Sequence, residues 1–133
     1  MLHVLIVEGD DSFASSLARM LKEKVGFQVV GLANDLQSSR QMALTANVHI
    51  AFVDVHLPGF QSGFQVANEL NSLGIACVLV SATDAPFPMP ELAATWLKKP
   101  YSETAVSLSL NMATESLITR CRWTSSTNKS YLC

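Results

Sequence analysis

The chain is poor in charged residues and lacks the basic surface, cysteine spacing and long apolar runs that mark nucleic-acid-binding, disulfide-rich, zinc-binding and membrane proteins. Only 15% of its 133 residues are charged, against roughly 25% in an average soluble domain. With a net charge of −2, it lacks the strongly basic face of a nucleic-acid-binding protein. Its three cysteines, Cys77, Cys121 and Cys133, form neither a disulfide framework nor a zinc-ligand spacing. No apolar run reaches the ~18 residues of a membrane span. We therefore expect neither nucleic acid nor a membrane as a partner.

The amino terminus also lacks the features of an export signal. Met1-Leu2-His3 provides no basic start, and the apolar stretch that follows is too short. A length of 133 residues suits one domain that buries a core without disulfides or metal ions. The sequence thus predicts a reduced, cytoplasmic protein. Its low charge favours an apolar face for a partner, and a surface of uncharged polar residues explains it equally well.

The most informative segment is the run His-Ile-Ala-Phe-Val-Asp-Val-His-Leu-Pro-Gly at residues 49–59. A run that is apolar on both faces is typical of an inner strand of a parallel sheet, covered by helices on each side. Pro58 and Gly59 end this strand and turn the chain. Asp54 is therefore predicted at the carboxyl end of a buried strand, where open α/β sheets place their sites. A purely structural aspartate that caps the turn is the alternative.

Strand and helix patterns alternate five times along the chain. Strands are predicted at residues 3–7, 27–33, up to 54, 75–80 and 95–98. Pro86, Pro88 and Pro90 stunt the fourth helix and leave about one turn at 91–94. Ser102 caps the last helix, whose periodicity ends near Ile118. The sequence predicts an α/β domain with a doubly wound parallel sheet over residues 1–118, followed by a mobile tail at 119–133.

Every strand except the second is followed by, or ends in, an acidic, hydroxyl or amine side chain that could take part in a reaction. Glu8 and Asp10 follow the first strand, Asp54 ends the third, Ser81 the fourth and Lys99 the fifth. In a doubly wound sheet these ends converge at one crevice. Clustered carboxylates repel each other unless a cation joins them, and Mg²⁺ suits oxygen ligands. With such an ion, Asp54 can act as a nucleophile toward phosphorus, and Lys99 and Ser81 can stabilise the transferred oxygens.

In their order and intervals these residues resemble the receiver domain of two-component response regulators. The resemblance covers about residues 2–118 and rests on the acid after the first strand, the run 53–59, Ser81-Ala82 and Lys99-Pro100. It implies a flavodoxin-like, five-stranded sheet in the order 2-1-3-4-5, which is the strand order of known receivers with this fold. It also implies that the chain is not an enzyme, apart from at most a slow autophosphatase activity.

The resemblance assigns roles to four side chains. Asp54 matches the phosphoacceptor, Lys99 the lysine that pairs with the phosphoryl group, and Ser81 the switch hydroxyl. Trp96 matches the aromatic switch position, and a core or edge aromatic is the alternative. Pro100 matches a proline that often follows a cis peptide bond in the family.

The metal site is where the sequence departs from the family. Receivers usually carry two adjacent acids after the first strand, and this chain has Glu8 and Gly9 there. The implied Mg²⁺ ligands are Glu8, Asp54 and the backbone carbonyl of His56. Asp10 either replaces the missing acid as a further ligand or only caps the following helix. We therefore expect Mg²⁺ binding to be weakened by Gly9.

Three functions fit this pattern. The first is a single-domain response regulator that accepts a phosphoryl group on Asp54 from a histidine kinase or phosphotransfer protein and acts on a downstream protein. The second, favoured by Gly9, is a degenerate receiver that serves as a phosphorylation-independent interaction or dimerisation module, so a homodimer is left open. The third is an enzyme with the metal-dependent fold of topoisomerases and primases. That fold expects Asp-x-Asp, whereas position 56 is histidine, and the basic surface for DNA is missing.

Overall fold

The computed structural model describes residues 1–58, 62–86 and 88–127. Within them, five parallel strands form one sheet in the order β2-β1-β3-β4-β5. The strands are β1 (Leu2–Val7), β2 (Phe27–Ala33), β3 (Ile50–Asp54), β4 (Ala76–Ser81) and β5 (Thr95–Lys98). The predicted fold class and strand order are therefore confirmed.

Helices cover both faces of this sheet. They are α1 (Asp11–Lys22), α2 (Leu36–Thr45), α3 (Gly63–Ser72) and α4 (Glu103–Thr127). Apolar residues of α1 and α4 pack on one face, and those of α2 and α3 pack on the other. Right-handed crossovers between parallel strands produce this two-sided cover. None of the described helices combines the length and hydrophobicity needed to cross a membrane.

The central strand β3 is buried along its whole length. Successive side chains of a strand point to opposite faces, so Ile50 and Phe52 join the core under α1 and α4, while Ala51 and Val53 join the core under α2 and α3. This explains why the strand is apolar at every position up to its last residue. Asp54 is the first polar side chain that the strand delivers, and it lies at the carboxyl edge of the sheet.

The connection between β4 and β5 contains no helix among its described residues, 82–86 and 88–94. Leu92 and Ala93 donate backbone hydrogen bonds to the Met89 carbonyl, and the Ala94 N–H donates to the Cys77 carbonyl at 2.8 Å. The helical turn predicted at 91–94 is thus reduced to a hydrogen-bonded turn that starts at Met89. Proline cannot donate the backbone bonds that a longer helix needs.

The last helix begins as predicted but ends later. The Ser102 hydroxyl accepts the Ala105 N–H at 3.1 Å, as a helix cap does. Instead of ending near Ile118, α4 continues through Thr127, because no proline or glycine follows to stop it and Arg120 donates a hydrogen bond to the side chain of Asn71. Residues 128–133 of the predicted tail lie outside the described residues, and its mobility stays a prediction.

Two histidines join the amino-terminal ends of β1 and β3. The His3 N–H donates to Nδ1 of His49 at 2.9 Å, and the His49 N–H donates to the His3 carbonyl at 2.9 Å. The two ring centroids are 5.2 Å apart. Nδ1 of His49 can accept this bond only without a proton. Burial, then the neighbouring His3 and the amino terminus, lower the pKa of His49.

We predict that His49→Asn reduces the pH dependence of the free energy of unfolding on the acid side of neutrality. Because the folded pKa of His49 is lowered, its contribution is complete above the ordinary value of 6.5 and is lost as the pH falls through the folded pKa. Asparagine keeps an acceptor near the position of Nδ1 and does not titrate. Urea unfolding on both sides of that pH measures the difference.

The matched control is His56→Asn, because the His56 side chain is exposed. This variant should retain the pH dependence that the His49 contact provides. Equal pH dependence in the wild type and in His49→Asn would show that the His49 contact does not couple to protonation.

Candidate functional site

An open hollow with a volume of about 610 Å³ lies at the carboxyl edge of the sheet. The turn after β1, the loop after β3 and Lys99 line it. It lies beside β1, where the strand order reverses between β2 and β3. Open α/β sheets place their ligand sites at such a reversal.

A lysine shared by two carboxylates forms the floor of this hollow. Nζ of Lys99 lies 2.8 Å from Oε1 of Glu8 and 2.7 Å from Oδ2 of Asp54. The side chain of Lys99 is 12% exposed, and the two carboxylates are each 7% exposed. The ammonium also lies 4.1 Å from the centroid of the Phe13 ring, within the range of a cation–π contact. The structure therefore brings together three of the side chains that the strand ends were predicted to deliver.

Asp54 is held at both carboxylate oxygens. Oδ1 accepts the His56 backbone N–H at 2.8 Å, and Oδ2 accepts from Lys99. Burial alone raises the pKa of Asp54, but hydrogen bonds with Glu8, Lys99 and the His56 N–H outweigh it and hold the pKa below its ordinary value. Asp54 is therefore ionised at neutral pH.

The pKa values of both partners of Asp54 are raised, for different reasons. Burial and the hydrogen bond with Asp54 raise the pKa of Glu8, so Glu8 is the carboxyl of this pair that takes up a proton first. Burial lowers the pKa of Lys99, but its hydrogen bonds to Asp54 and Glu8 outweigh burial and raise it. The ammonium thus acts as the internal counter-ion of the two acids.

Gly63 allows the loop after β3 to approach Asp54 closely. A Cβ at this position would lie 1.9 Å from the Asp54 carbonyl oxygen, and the Gly63 N–H donates to the Val55 carbonyl at 3.0 Å. Ser62 and Gln65 form a capping box that starts α3 at Gly63. Gly63 carries no sequence signal of its own as a site residue, although the Ser62-x-x-Gln65 pattern indicates where this helix begins.

Ser81 and Trp96 are linked through Thr83. The Ser81 hydroxyl lies 3.1 Å from the Thr83 hydroxyl and accepts the Thr83 N–H at 3.2 Å. Nε1 of Trp96 donates to the Thr83 carbonyl at 2.8 Å, and the indole lies 6.2 Å from the ring of Phe64. Ser81 is fully buried and is not among the residues that line the hollow. Thr83 was missed because its role depends on a contact with β5, 13 residues away.

Asp10 acts as the N-cap of α1. Its Oδ1 accepts the N–H groups of Ser12 at 2.9 Å and Phe13 at 3.2 Å. The bond from Phe13, followed by those from Ser12, lowers the pKa of Asp10. Of the two predicted roles, the structure therefore shows the cap, and the roles of Asp10 and the His56 carbonyl as metal ligands stay predictions.

The arrangement of oxygen ligands does not fit a bound Mg²⁺ ion. The described part of the chain contains no group of three or more His, Cys, Asp or Glu side chains placed to hold a metal ion. Lys99 contacts both Glu8 and Asp54, where a cation would have to lie to neutralise them. Mg²⁺ demands a near-ideal octahedral set of oxygens, and Gly9 contributes no side chain to it.

Comparison with known proteins decides the family. The family model of the response regulator receiver domain matches residues 4–106. The chain belongs to this family. Receiver domains take part in two-component signalling and generally bind Mg²⁺ in an acidic pocket. In this chain, Lys99 contacts the two acids of the corresponding pocket.

Curated relatives carry further sequence beyond the region that this chain matches. A cyclic di-GMP phosphodiesterase of Thermotoga maritima is 38% identical over 80 residues, which are 60% of this chain and 20% of that protein. The response regulator GacA of Pseudomonas viridiflava is 31% identical over 92 residues, 66% of this chain and 42% of that protein. This receiver therefore spans less than half of each of these relatives.

Solved structures agree with the fold. The receiver domain of a modulated diguanylate cyclase from Desulfovibrio desulfuricans G20 has a TM-score of 0.78 at 22% identity, covering 90% of this chain and 99% of that one. The receiver domain of the response regulator NarL from Mycobacterium tuberculosis has a TM-score of 0.73 at 26% identity, covering 85% and 96%. The first supports the fold alone, because its identity is low.

We predict that Lys99→Met lowers the free energy of unfolding by about 3 kcal/mol at pH 7, because it leaves two buried carboxylates without their counter-ion. Without Lys99, the folded-state pKa of Asp54 should rise above its unfolded value, and that of Glu8, which is already raised, should rise further. The loss should therefore shrink as the pH falls and the carboxyls take up protons. Urea unfolding at pH 7 and at mildly acidic pH measures both effects.

The adjacent Lys98 provides the matched control. Its ion pair with Asp84 is exposed, with side-chain exposures of 55% and 86%, so Lys98→Met should change stability by less than about 1 kcal/mol. Similar small losses in the two variants would mean that Lys99 does not neutralise a buried pair.

Proposed function

We propose that this receiver accepts a phosphoryl group on Asp54 from a histidine kinase or phosphotransfer protein and signals by binding a downstream protein. The observation that carries the proposal is an ionised Asp54 that borders an open hollow 2.7 Å from the Lys99 ammonium. A carboxylate nucleophile must be deprotonated, and a cation beside it stabilises the oxygens of the transferred group. We place this receiver unit at residues 1–118 and its partners in the cytoplasm.

The phosphoryl transfer involves no oxidation or reduction. An oxygen of Asp54 attacks the phosphorus of the donor's phosphohistidine, and the O–P bond forms as the P–N bond breaks. The electron pair of that bond goes to the imidazole nitrogen, which takes a proton from solvent. Lys99 then pairs with phosphoryl oxygens instead of with the free carboxylate.

The hydrogen bonds around Thr83 support a path from the site to the surface. A phosphoryl group on Asp54 adds charge and acceptor oxygens that attract the Ser81 hydroxyl. Ser81 is bound to Thr83, and Thr83 accepts the indole N–H of Trp96. Movement of Ser81 would therefore shift the β4–β5 connection between two arrangements that a protein partner can distinguish.

A second candidate is a receiver that works without phosphorylation, as an interaction or dimerisation module. The observation that favours it is the ion pair itself, because Lys99 already neutralises the carboxylates that a metal ion would otherwise join. In this case the fold presents a fixed surface to its partner.

We predict that Asp54→Asn abolishes phosphoryl uptake and leaves the fold intact, because the amide has nearly the same shape but is not nucleophilic. Intact-protein mass spectrometry follows the reaction with phosphoramidate or acetyl phosphate, each with and without Mg²⁺. The wild type should gain the mass of one phosphoryl group, and circular dichroism should not distinguish the variant from it.

Asp84→Asn is the control, because Asp84 is an exposed aspartate outside the hollow. It should take up the phosphoryl group as the wild type does. A wild type that gains no phosphoryl group from either donor would overturn the proposal and support the phosphorylation-independent module.

A further inference from the structure

Position 9 has no space for a side chain. Gly9 follows Glu8 in the turn after β1, and an ideal Cβ on it would lie 2.7 Å from Cδ and 3.4 Å from Cγ of Pro58. The pyrrolidine ring is fixed to its own backbone and cannot swing away as a flexible side chain can. Any larger residue at position 9 therefore requires the loop that contains Pro58 to move.

The remaining acids of the hollow are already engaged. Glu8 and Asp54 each contact the Lys99 ammonium at less than 3 Å, and Oδ1 of Asp10 is bound to the first turn of α1. A divalent cation on Oε1 of Glu8 and Oδ2 of Asp54 would have to displace Lys99. The second oxygens of the two carboxylates accept backbone N–H groups, from Asp10 at 3.2 Å and from His56 at 2.8 Å. The displaced ammonium would then lose both of its buried partners.

We infer that this hollow is built to work without a divalent cation. Lys99 neutralises the pair formed by Glu8 and Asp54, and the packing of Pro58 on Gly9 excludes the side chain that would complete an oxygen-rich metal site. The inference goes beyond the proposed function, because it stands whether or not Asp54 is phosphorylated. It identifies the contact of Pro58 with Gly9 as the feature that keeps a further acid out of the site, beside the Lys99 ion pair that engages the acids already there.

Isothermal titration calorimetry with MgCl₂ on the unphosphorylated protein tests the inference. The wild type, Gly9→Asp and Pro58→Ala should each show no saturable binding at millimolar Mg²⁺. The double variant Gly9→Asp/Pro58→Ala should show saturable Mg²⁺ binding, with a dissociation constant at least tenfold below the highest Mg²⁺ concentration at which Gly9→Asp shows none. Adding Glu8→Gln to the double variant should abolish that binding, which separates a specific site from ions on the surface.

Two results of the titration would overturn the inference. Saturable Mg²⁺ binding by the wild type would show that the hollow does take the ion despite Lys99. Equal Mg²⁺ affinities of Gly9→Asp with and without Pro58→Ala would show that Pro58 is not the obstacle.

A second experiment tests the contact without changing any charge. Gly9→Ala adds only the methyl group that the geometry places against Pro58, so it should lower the melting temperature in the wild-type background. It should lower it much less in a Pro58→Ala background, where the ring is absent. Equal losses in the two backgrounds would contradict the contact. Neither experiment uses a phosphoryl donor, so their failure is distinct from failure of the proposed function.

Discussion

The ammonium of Lys99, shared between two buried carboxylates, is the interaction on which the site depends. Its three members come from the ends of different strands: Glu8 follows β1, Asp54 ends β3 and Lys99 follows β5. Lys99 must reach past β4 to contact them. Buried charges are stable only when they are paired with good geometry. The ion pair therefore requires β1, β3 and β5 to keep these relative positions in the sheet.

Because helices cover both faces of the sheet, its functional polar side chains lie at the carboxyl edge. The inner strands are apolar on both faces because α1 and α4 cover one face and α2 and α3 the other. In β3 and β4 the buried polar side chains, Asp54 and Ser81, are the last residues of their strands. At the end of β4, Ser81 binds Thr83 rather than Asp54, which keeps the proposed switch apart from the ion pair in this state. The proline-rich connection that follows lets Trp96 contact that same threonine.

Much of this fold was predictable from the sequence, and the reasons differ between its parts. Strand β2 was predictable from the run of strand-forming residues at 27–33, and the strand order followed from the family resemblance rather than from periodicity. Glu8, Asp54 and Lys99 were expected together because the ends of parallel strands converge. The contact of Pro58 with Gly9 and the link through Thr83 were not predictable, because each depends on contacts between residues that are separated in the chain. The extension of α4 was missed although no proline or glycine stops the helix, and its hydrogen bond from Arg120 to Asn71 joins residues 49 positions apart.

Carbon-13 NMR titration of the side-chain carboxyls tests the central interaction most directly. If Lys99 is shared as the structure shows, Glu8 should titrate above its ordinary value of 4.5 and Asp54 below its ordinary value of 3.8. Burial and the hydrogen bond with Asp54 raise the pKa of Glu8 against the opposing effect of Lys99, whereas hydrogen bonds with Glu8, Lys99 and the His56 N–H hold the pKa of Asp54 down. Two carboxyls that titrate independently at their ordinary values would contradict the shared ion pair, and with it this account of the site.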